Sequence, residues 1–149
     1  MKDKIILITG ANRGIGHNIL KKIASSGYTV IGTSRSKDGA DLITETLKDF
    51  KGKGIVMDVT NQESIDTSVS QIKDDYGVIY GLVNNAGITN DNLLMRMSDE
   101  QWNTVIETNL TSLYRVTKPG EMALTFIFLD DTSLARDFVK PKSPDLVAE

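Results

Sequence analysis

Short apolar segments alternate along the chain with longer segments in which apolar residues recur every three or four positions. The short segments, such as Ile5-Ile6-Leu7-Ile8, lack the polar alternation of a half-exposed strand, which indicates strands buried on both faces. The longer segments have the spacing of amphipathic helices. Four strand–helix pairs in succession predict an α/β fold, a doubly wound parallel sheet that binds ligands at the carboxyl ends of its strands.

Four strands and four helices are predicted in the first 118 residues. The strands are expected over residues 4–9, 28–33, 54–59 and 79–84. The first helix is expected over residues 14–26, and the second follows Asp38-Gly39. Capping boxes at residues 60–63 and 98–101 open the third and fourth helices. The apolar stripes of the four helices are, in order, Ile15, Ile19 and Ile23; Ala40, Ile43, Leu47 and Phe50; Ile65, Val69, Ile72 and Tyr76; and Trp102, Val105, Ile106, Leu110 and Leu113.

The character of the sequence changes after residue 118. All three prolines lie in residues 119–149, which hold 6 of the 20 Asp and Glu but only 3 of the 17 Lys and Arg. We therefore divide the chain into an α/β half, residues 1–118, and a divergent tail, residues 119–149. Residues 123–129 are a candidate fifth strand and residues 132–139 a candidate short helix. The sheet is accordingly expected to be truncated after four to five strands.

Composition excludes several kinds of function. The chain has no cysteine, which rules out disulfides and thiolate chemistry, and its one histidine, His17, is interpreted as a surface residue. A net charge of −3 means that the chain lacks the excess of positive charge that favours binding to nucleic acid or an anionic membrane. No targeting or membrane-spanning segment is recognised, so a cytoplasmic protein without a metal site is expected.

A glycine-rich turn, Thr9-Gly10-Ala11-Asn12-Arg13-Gly14-Ile15-Gly16, follows the first predicted strand and opens the first helix. Glycine permits a sharp bend and a close approach to a ligand. The helix that follows offers unpaired N–H groups and the positive end of its dipole, which suit a pyrophosphate. By itself the motif also fits an ordinary strand-to-helix turn, or a binder of another phosphate compound.

The other predicted strands also end in residues suited to a ligand. Strand two ends in hydroxyls and Arg35, which suit a 2′-phosphate, and Arg13 offers a second positive contact; solvated surface charges are the alternative. After strand three, Asp58 is placed to accept from an adenine amino group beside Val59. Strand four ends in Asn84-Asn85-Ala86-Gly87, where small residues let the backbone approach a ligand closely.

Together the glycine turn, Asp58-Val59, Asn84-Asn85-Ala86-Gly87 and Asn109 resemble the short-chain dehydrogenase/reductase family. Residues 84–113 resemble in particular the 3-oxoacyl-[acyl-carrier-protein] reductases of bacterial fatty-acid synthesis. The resemblance covers residues 1–118 and implies a dinucleotide-binding Rossmann half for NADP(H). It implies that Asn84 braces the sheet and that Asn109 is catalytic, holding a water in the proton relay. The cofactor-binding residues it implies are Gly10, Asn12, Arg13, Gly14, Ile15, Gly16, Arg35 (at the 2′-phosphate), Asp58, Val59, Asn85, Ala86 and Gly87.

The proton donor of this family is expected after Asn109. Its reduction moves a hydride from NADPH to a ketone, while a tyrosine protonates the oxygen, assisted by a lysine four residues on and a preceding serine. No tyrosine follows Tyr114 in the sequence. Tyr114 and Lys118 have the literal spacing, but they lie on the helix that carries Asn109 rather than on the next one. The chain is therefore expected to be cut short before the catalytic part of the family.

Three functions stay open from the sequence. The first is an NADP(H)-dependent oxidoreductase that reduces substrates bound to acyl carrier protein. The second is a catalytically inactive nucleotide-binding or interaction module with the same fold. The third is an unrelated phosphate binder of the same architecture that prefers mononucleotides. The resemblance also implies a homo-oligomer, although the helix through which the family's tetramer packs is missing.

Overall fold

The computed structural model describes residues 4–90, 94–118 and 122–126. A 3₁₀ turn, Leu94–Arg96, lies after the fourth strand. A π-helical turn, Glu107–Thr111, joins the last two helices. The strands are β1 (Ile5–Ile8), β2 (Thr29–Ser34), β3 (Gly52–Val56), β4 (Ile79–Val83) and β5 (Met122–Phe126), and the helices are α1 (Gly14–Ser25), α2 (Lys37–Thr46), α3 (Gln62–Tyr76), α4 (Asp99–Ile106) and α5 (Ser112–Thr117).

All the described strands form one parallel sheet in the order β3-β2-β1-β4-β5. The order runs outward from β1 in both directions, so the switch point of the sheet lies between β1 and β4. Doubly wound folds bind ligands at this point, outside the carboxyl ends of the strands. The predicted fold class is confirmed. The candidate fifth strand over residues 123–129 overlaps β5, which pairs in parallel with β4, and residues 127–129 lie outside the described residues.

Strand β1 is the centre of the core, because its side chains alternate between the two faces of the sheet. Ile5 and Leu7 belong to one buried cluster, with residues of α3 and Val116 of α5. Ile6 and Ile8 belong to the other, with residues of α1 and α2. Each fully buried aliphatic side chain contributes about 1.5–3 kcal/mol by leaving water. Burial on both faces therefore holds the carboxyl end of β1 firmly in place.

Each of the four predicted helix stripes contains at least one exposed residue, including Tyr76 in the third. Ile15 is 74% exposed, and α1 instead buries Gly16, Leu20, Ile23 and Ala24. Ile15 is the second residue of α1 and lies in its first turn. Phe50 is also exposed, since α2 ends at Thr46 and the chain turns before residue 50.

The third strand begins and ends earlier than predicted, over Gly52–Val56 rather than residues 54–59. Gly52 has φ +134°, and a Cβ there would lie 1.8 Å from the Val30 carbonyl oxygen, so only glycine fits beside β2. Helix α3 is also capped one residue later than predicted. The Asn61 side chain accepts from the Ser64 N–H at 3.0 Å, whereas the Thr60 hydroxyl donates to Asp58 instead.

The predicted fourth helix is interrupted. Its capping box at Ser98 is confirmed, but the π-helical turn separates α4 from α5 and changes which residues face the sheet. Trp102, Leu110 and Leu113 are exposed, while Val116 reaches the core. His17, predicted at the surface, is half-buried, and its Nδ1 is buried without a hydrogen-bond partner. The candidate helix over residues 132–139 lies outside the described residues.

Candidate functional site

Two glycines of the turn after β1 pack against the segment that follows β4. Gly10 has φ +64°, and a Cβ there would lie 2.9 Å from Ala86 Cα. A Cβ on Gly16 would lie 2.3 Å from Asn85 Nδ2 and 2.4 Å from the Gly10 carbonyl oxygen. These two glycines therefore let the ends of β1 and β4 and the start of α1 meet closely.

Asn85 and Thr9 tie the two segments together. Asn85 Nδ2 donates to the carbonyl oxygens of Thr9 at 3.1 Å and Gly10 at 2.9 Å. The Thr9 hydroxyl accepts from the backbone N–H groups of Asn85 and Ala86, both at 3.0 Å. Asn84, which the resemblance assigned to bracing, is exposed. The bracing amide in this chain is that of Asn85, which corrects the prediction for Asn84.

A cleft of about 310 Å³ opens beside this junction, at the carboxyl ends of the strands. It brings together most of the predicted cofactor-binding residues, although they come from four separate parts of the chain. Asn12, Asp58 and Asn109 are not among its lining residues. The cleft is lined by Gly10, Arg13, Gly14, Ile15, Gly16, Thr33, Ser34, Arg35, Met57, Val59, Asn85, Ala86, Gly87, Ile88 and Thr108.

The cleft is suited to a negatively charged ligand. Arg13 and Arg35 are both exposed at its lining. The first turn of α1 carries no acidic side chain, and its N–H groups have no partners within the helix. Gly14, with φ +57°, has no atom within 4 Å of where its Cβ would be, so this part of the lining is open. Space, positive charge and a helix N-terminus therefore coincide.

Asp58 lies just behind this lining and is held in its ionised form. Its Oδ1 accepts from the Thr60 N–H at 2.9 Å and from the Thr60 hydroxyl at 2.7 Å. Burial raises the pKa of Asp58, but these two hydrogen bonds and the charge of Arg35 outweigh it, so the pKa lies below its ordinary value. A negative charge is thus fixed next to Arg35, and it orients the loop that carries Val59.

Asn109 lies beside the cleft, within the π-helical turn. Its Oδ1 accepts from the Ile88 N–H and its Nδ2 donates to the Ile88 carbonyl oxygen, both at 2.8 Å. A Cβ on Gly87 would lie 3.3 Å from Asn109 Oδ1. The Asn109 side chain therefore fixes the segment after β4, and π-helical turns of this kind are frequent at functional sites.

Five lining residues were not among the predicted cofactor-binding residues. Thr33 and Ser34 are the hydroxyl residues at the end of strand two, which were noted only as a group. Met57 and Ile88 each lie next to a predicted residue, so adjacency to Asp58 and Gly87 was the available signal. No pattern in the sequence predicts Thr108 as a lining residue, because only the π-helical turn directs it toward the cleft. Tyr114 is 64% exposed, and neither it nor Lys118 lines the cleft.

Within residues 4–90, 94–118 and 122–126, no group of His, Cys, Asp or Glu side chains is arranged to hold a metal ion. Over the same residues, no helix has the length and apolarity needed to cross a bilayer.

The parallel sheet, the glycine turn and the basic cleft at the switch point define a nucleotide-binding α/β protein. The short chain dehydrogenase family model matches residues 4–124. The chain therefore belongs to the short-chain dehydrogenase family, which confirms the resemblance seen in the sequence.

Among curated proteins of this family, the chain is similar to 3-oxoacyl-[acyl-carrier-protein] reductases. The chain is 55% identical over 118 residues to 3-oxoacyl-[acyl-carrier-protein] reductase FabG of Haemophilus influenzae, covering 79% of this chain and 48% of that protein. It is 50% identical over 117 residues to the Escherichia coli protein of the same name, covering 78% and 48%. The chain thus spans about half the length of the curated relatives it matches.

A solved structure shows the same fold. A variant of actinorhodin polyketide ketoreductase with NADPH superposes with a TM-score of 0.72 at 34% sequence identity, covering 78% of this chain and 45% of that one.

Proposed function

We propose that the cleft binds NADP(H). The observation that carries this is the coincidence, at the switch point, of the open Gly14 turn with Arg13 and Arg35. The first turn of α1 suits the pyrophosphate, and Arg35 suits a 2′-phosphate. Val59, buried at the lining, offers an apolar surface for adenine. The name of the ketoreductase structure, which includes NADPH, supports the same ligand.

We propose further that the protein is an oxidoreductase of the 3-oxoacyl-[acyl-carrier-protein] reductase type. The names of the curated relatives support this reaction and a substrate carried by acyl carrier protein. When held in the cleft, NADPH would supply the hydride. Asn109 is assigned to the proton relay. Its side chain holds Ile88, at the end of the cleft formed by Gly87 and Ile88.

Calorimetric titration of the 149-residue chain tests the binding proposal. NADPH is expected to bind saturably and more tightly than NADH, with ATP as a mononucleotide control. Gly14→Asp is expected to weaken NADPH binding, because it adds a carboxylate at the anion site and a side chain at φ +57°. Tighter binding of ATP than of NADPH, or equal NADPH affinity in the Gly14→Asp variant, would overturn the proposal.

The second candidate function is a nucleotide-binding or interaction module that does not turn over. It is favoured by the position of Tyr114 and Lys118, which have the family's tyrosine–lysine spacing but do not line the cleft. A spectrophotometric assay of NADPH oxidation with a 3-oxoacyl thioester separates the two candidates. Turnover that is lost in Asn109→Ala supports the reductase, whereas saturable NADPH binding without turnover supports the module.

We also propose that the chain self-associates through the outer face of α4 and α5. Trp102 in α4, Leu110 in the π-helical turn and Tyr114 in α5 are all exposed. A second copy would remove this apolar surface from water. Sedimentation equilibrium of the wild type and of Leu110→Lys is expected to show a dimer or larger species only for the wild type.

A further inference from the structure

Arg115 joins two loops that are far apart in the sequence. It lies on α5, and its Nη1 donates to the Thr60 carbonyl oxygen at 3.0 Å, across 55 residues. The same nitrogen forms an ion pair with Glu107. The Arg115 side chain is half-buried. Arg115 does not line the cleft.

One end of this connection is the loop after β3. Thr60 accepts from Arg115 through its carbonyl oxygen and holds Asp58 through its N–H and hydroxyl. Val59, between them, lines the cleft, as does Arg35. Movement of Thr60 would therefore displace the surface proposed to receive adenine.

The other end is the Asn109 turn, which we define as Glu107–Thr111. Glu107 opens this turn, and Asn109 two residues later holds both backbone groups of Ile88. Thr108 of the turn and Ile88 also line the cleft. Ile88 follows β4, and two strands separate β4 from β3 in the sheet, so we take these residues as the other end of the cleft. A π-helical turn departs from regular α-helical hydrogen bonding, so an anchor on its first residue restrains its position.

We propose that Arg115 is a positioning residue that couples the loop after β3 to the Asn109 turn. A ligand at the adenine end of the cleft then orders the Asn109 turn at the other end. Arginine suits this role, because its planar guanidinium presents several donors in a fixed geometry, which a lysine cannot reproduce. The inference rests on the proposed binding of NADP(H) in the cleft.

Hydrogen exchange with a partial ligand tests the coupling. Adenosine 2′,5′-bisphosphate carries the adenine and 2′-phosphate but has no nicotinamide, so it reaches only the Arg35 end. In the wild type it is expected to slow amide exchange both at residues 57–61 and at residues 86–89 and 107–113. In Arg115→Met the slowing at residues 57–61 should persist, and the distant slowing should disappear.

Two variants keep the test valid if Arg115→Met unfolds. Glu107→Gln leaves the Thr60 contact in place and weakens only the second link, so it should also lose the distant slowing. Arg115→Lys keeps the positive charge but should not restore the distant slowing of exchange. Lys118→Met, which removes an exposed positive charge three residues after Arg115, is the matched control and should behave as wild type.

Affinity gives an independent measure of the coupling. Couplings between sites typically change affinity about 5- to 150-fold. We expect Arg115→Met to weaken NADPH binding by about tenfold and the bisphosphate by less than about twofold, because only NADPH spans both ends. A merely structural role would weaken both ligands equally.

The outcomes separate this inference from the proposed function. Distant slowing that persists in Arg115→Met or Glu107→Gln, or that is absent when the wild type binds the bisphosphate, overturns the coupling and leaves cofactor binding intact. Failure of the wild type to bind either ligand overturns the proposed function, and the coupling with it.

Discussion

Replacing Gly16 with alanine tests the packing that forms the cleft. Within a helix this substitution normally stabilises a protein by about 0.5–1 kcal/mol, because alanine is the better helix former. Here the added Cβ would lie 2.3 Å from Asn85 Nδ2 and 2.4 Å from the Gly10 carbonyl oxygen. The structure therefore predicts the opposite sign to helix propensity.

The expected magnitude follows from what must move. Inserting a methyl group into close-packed surroundings costs about 1–3 kcal/mol. Asn85 would also have to give up good geometry in its bonds to Thr9 and Gly10, each worth about 0.5–1.5 kcal/mol. After the gain in helix propensity, we expect Gly16→Ala to lower the free energy of unfolding by about 1–3 kcal/mol.

Urea denaturation followed by circular dichroism measures this difference. Asn18→Ala is the matched control, because residue 18 is exposed on the same helix and should change stability by less than about 0.5 kcal/mol. The Gly16→Ala variant should also bind NADPH more weakly, since Asn85 borders the cleft. A Gly16→Ala protein as stable as the wild type, or more stable, would refute the close packing of β1, α1 and the segment after β4.

Three further predictions address charge and bracing. Arg35→Asp is expected to weaken NADPH binding by about tenfold without weakening NADH binding. Lys21→Asp, at an exposed position of α1, is the control and should change the affinity for neither cofactor. Equal losses for both cofactors in calorimetry would contradict a 2′-phosphate role for Arg35. Because the folded pKa of Asp58 lies below its ordinary value, its ionised form stabilises the fold above the ordinary carboxyl pKa, and this contribution is lost as pH falls through the folded value. In urea titrations the stability advantage of the wild type over Asp58→Asn should therefore shrink as pH drops below about 4, and a pH-independent difference would disagree with the shift. Asn85→Ala should cost about 1–2 kcal/mol while Asn84→Ala is nearly neutral, and similar losses in thermal or urea unfolding would show that Asn85 is not the bracing amide.

The fold could be predicted from the sequence because its signals are local and consistent. Ile5-Ile6-Leu7-Ile8 is too apolar for a strand with one wet face, and both of its faces are buried. The serine–glutamine capping box at Ser98 also begins a helix as predicted. Such patterns depend on neighbouring residues alone, so a single sequence contains them.

Errors arose where individual contacts, near or distant in sequence, override the pattern of apolar and capping residues. The start of β3 at Gly52 is set by the approach of the Val30 carbonyl oxygen, which apolar periodicity does not reveal. Asn61 rather than Thr60 caps α3, because Asp58 competes for the Thr60 hydroxyl.

The site shows the same division between local and distant signals. Glycine spacing and strand ends predicted the residues from Gly10 to Gly16 that line the cleft. The π-helical turn, which places Thr108 in the lining and Asn109 on Ile88, left no pattern in the sequence. The role of Arg115 depends on a contact with Thr60, and only the folded chain brings these two together.

The most direct measurement is a titration of the ¹⁵N-labelled chain with NADPH, followed by amide chemical shifts. Saturable shifts are expected at the glycine turn of residues 9–16, at Arg35, at Val59 and at residues 85–88, with smaller shifts on the far side of α3. No saturable change, or changes confined to α3 or α4, would contradict the assignment of the cleft as the NADP(H) site.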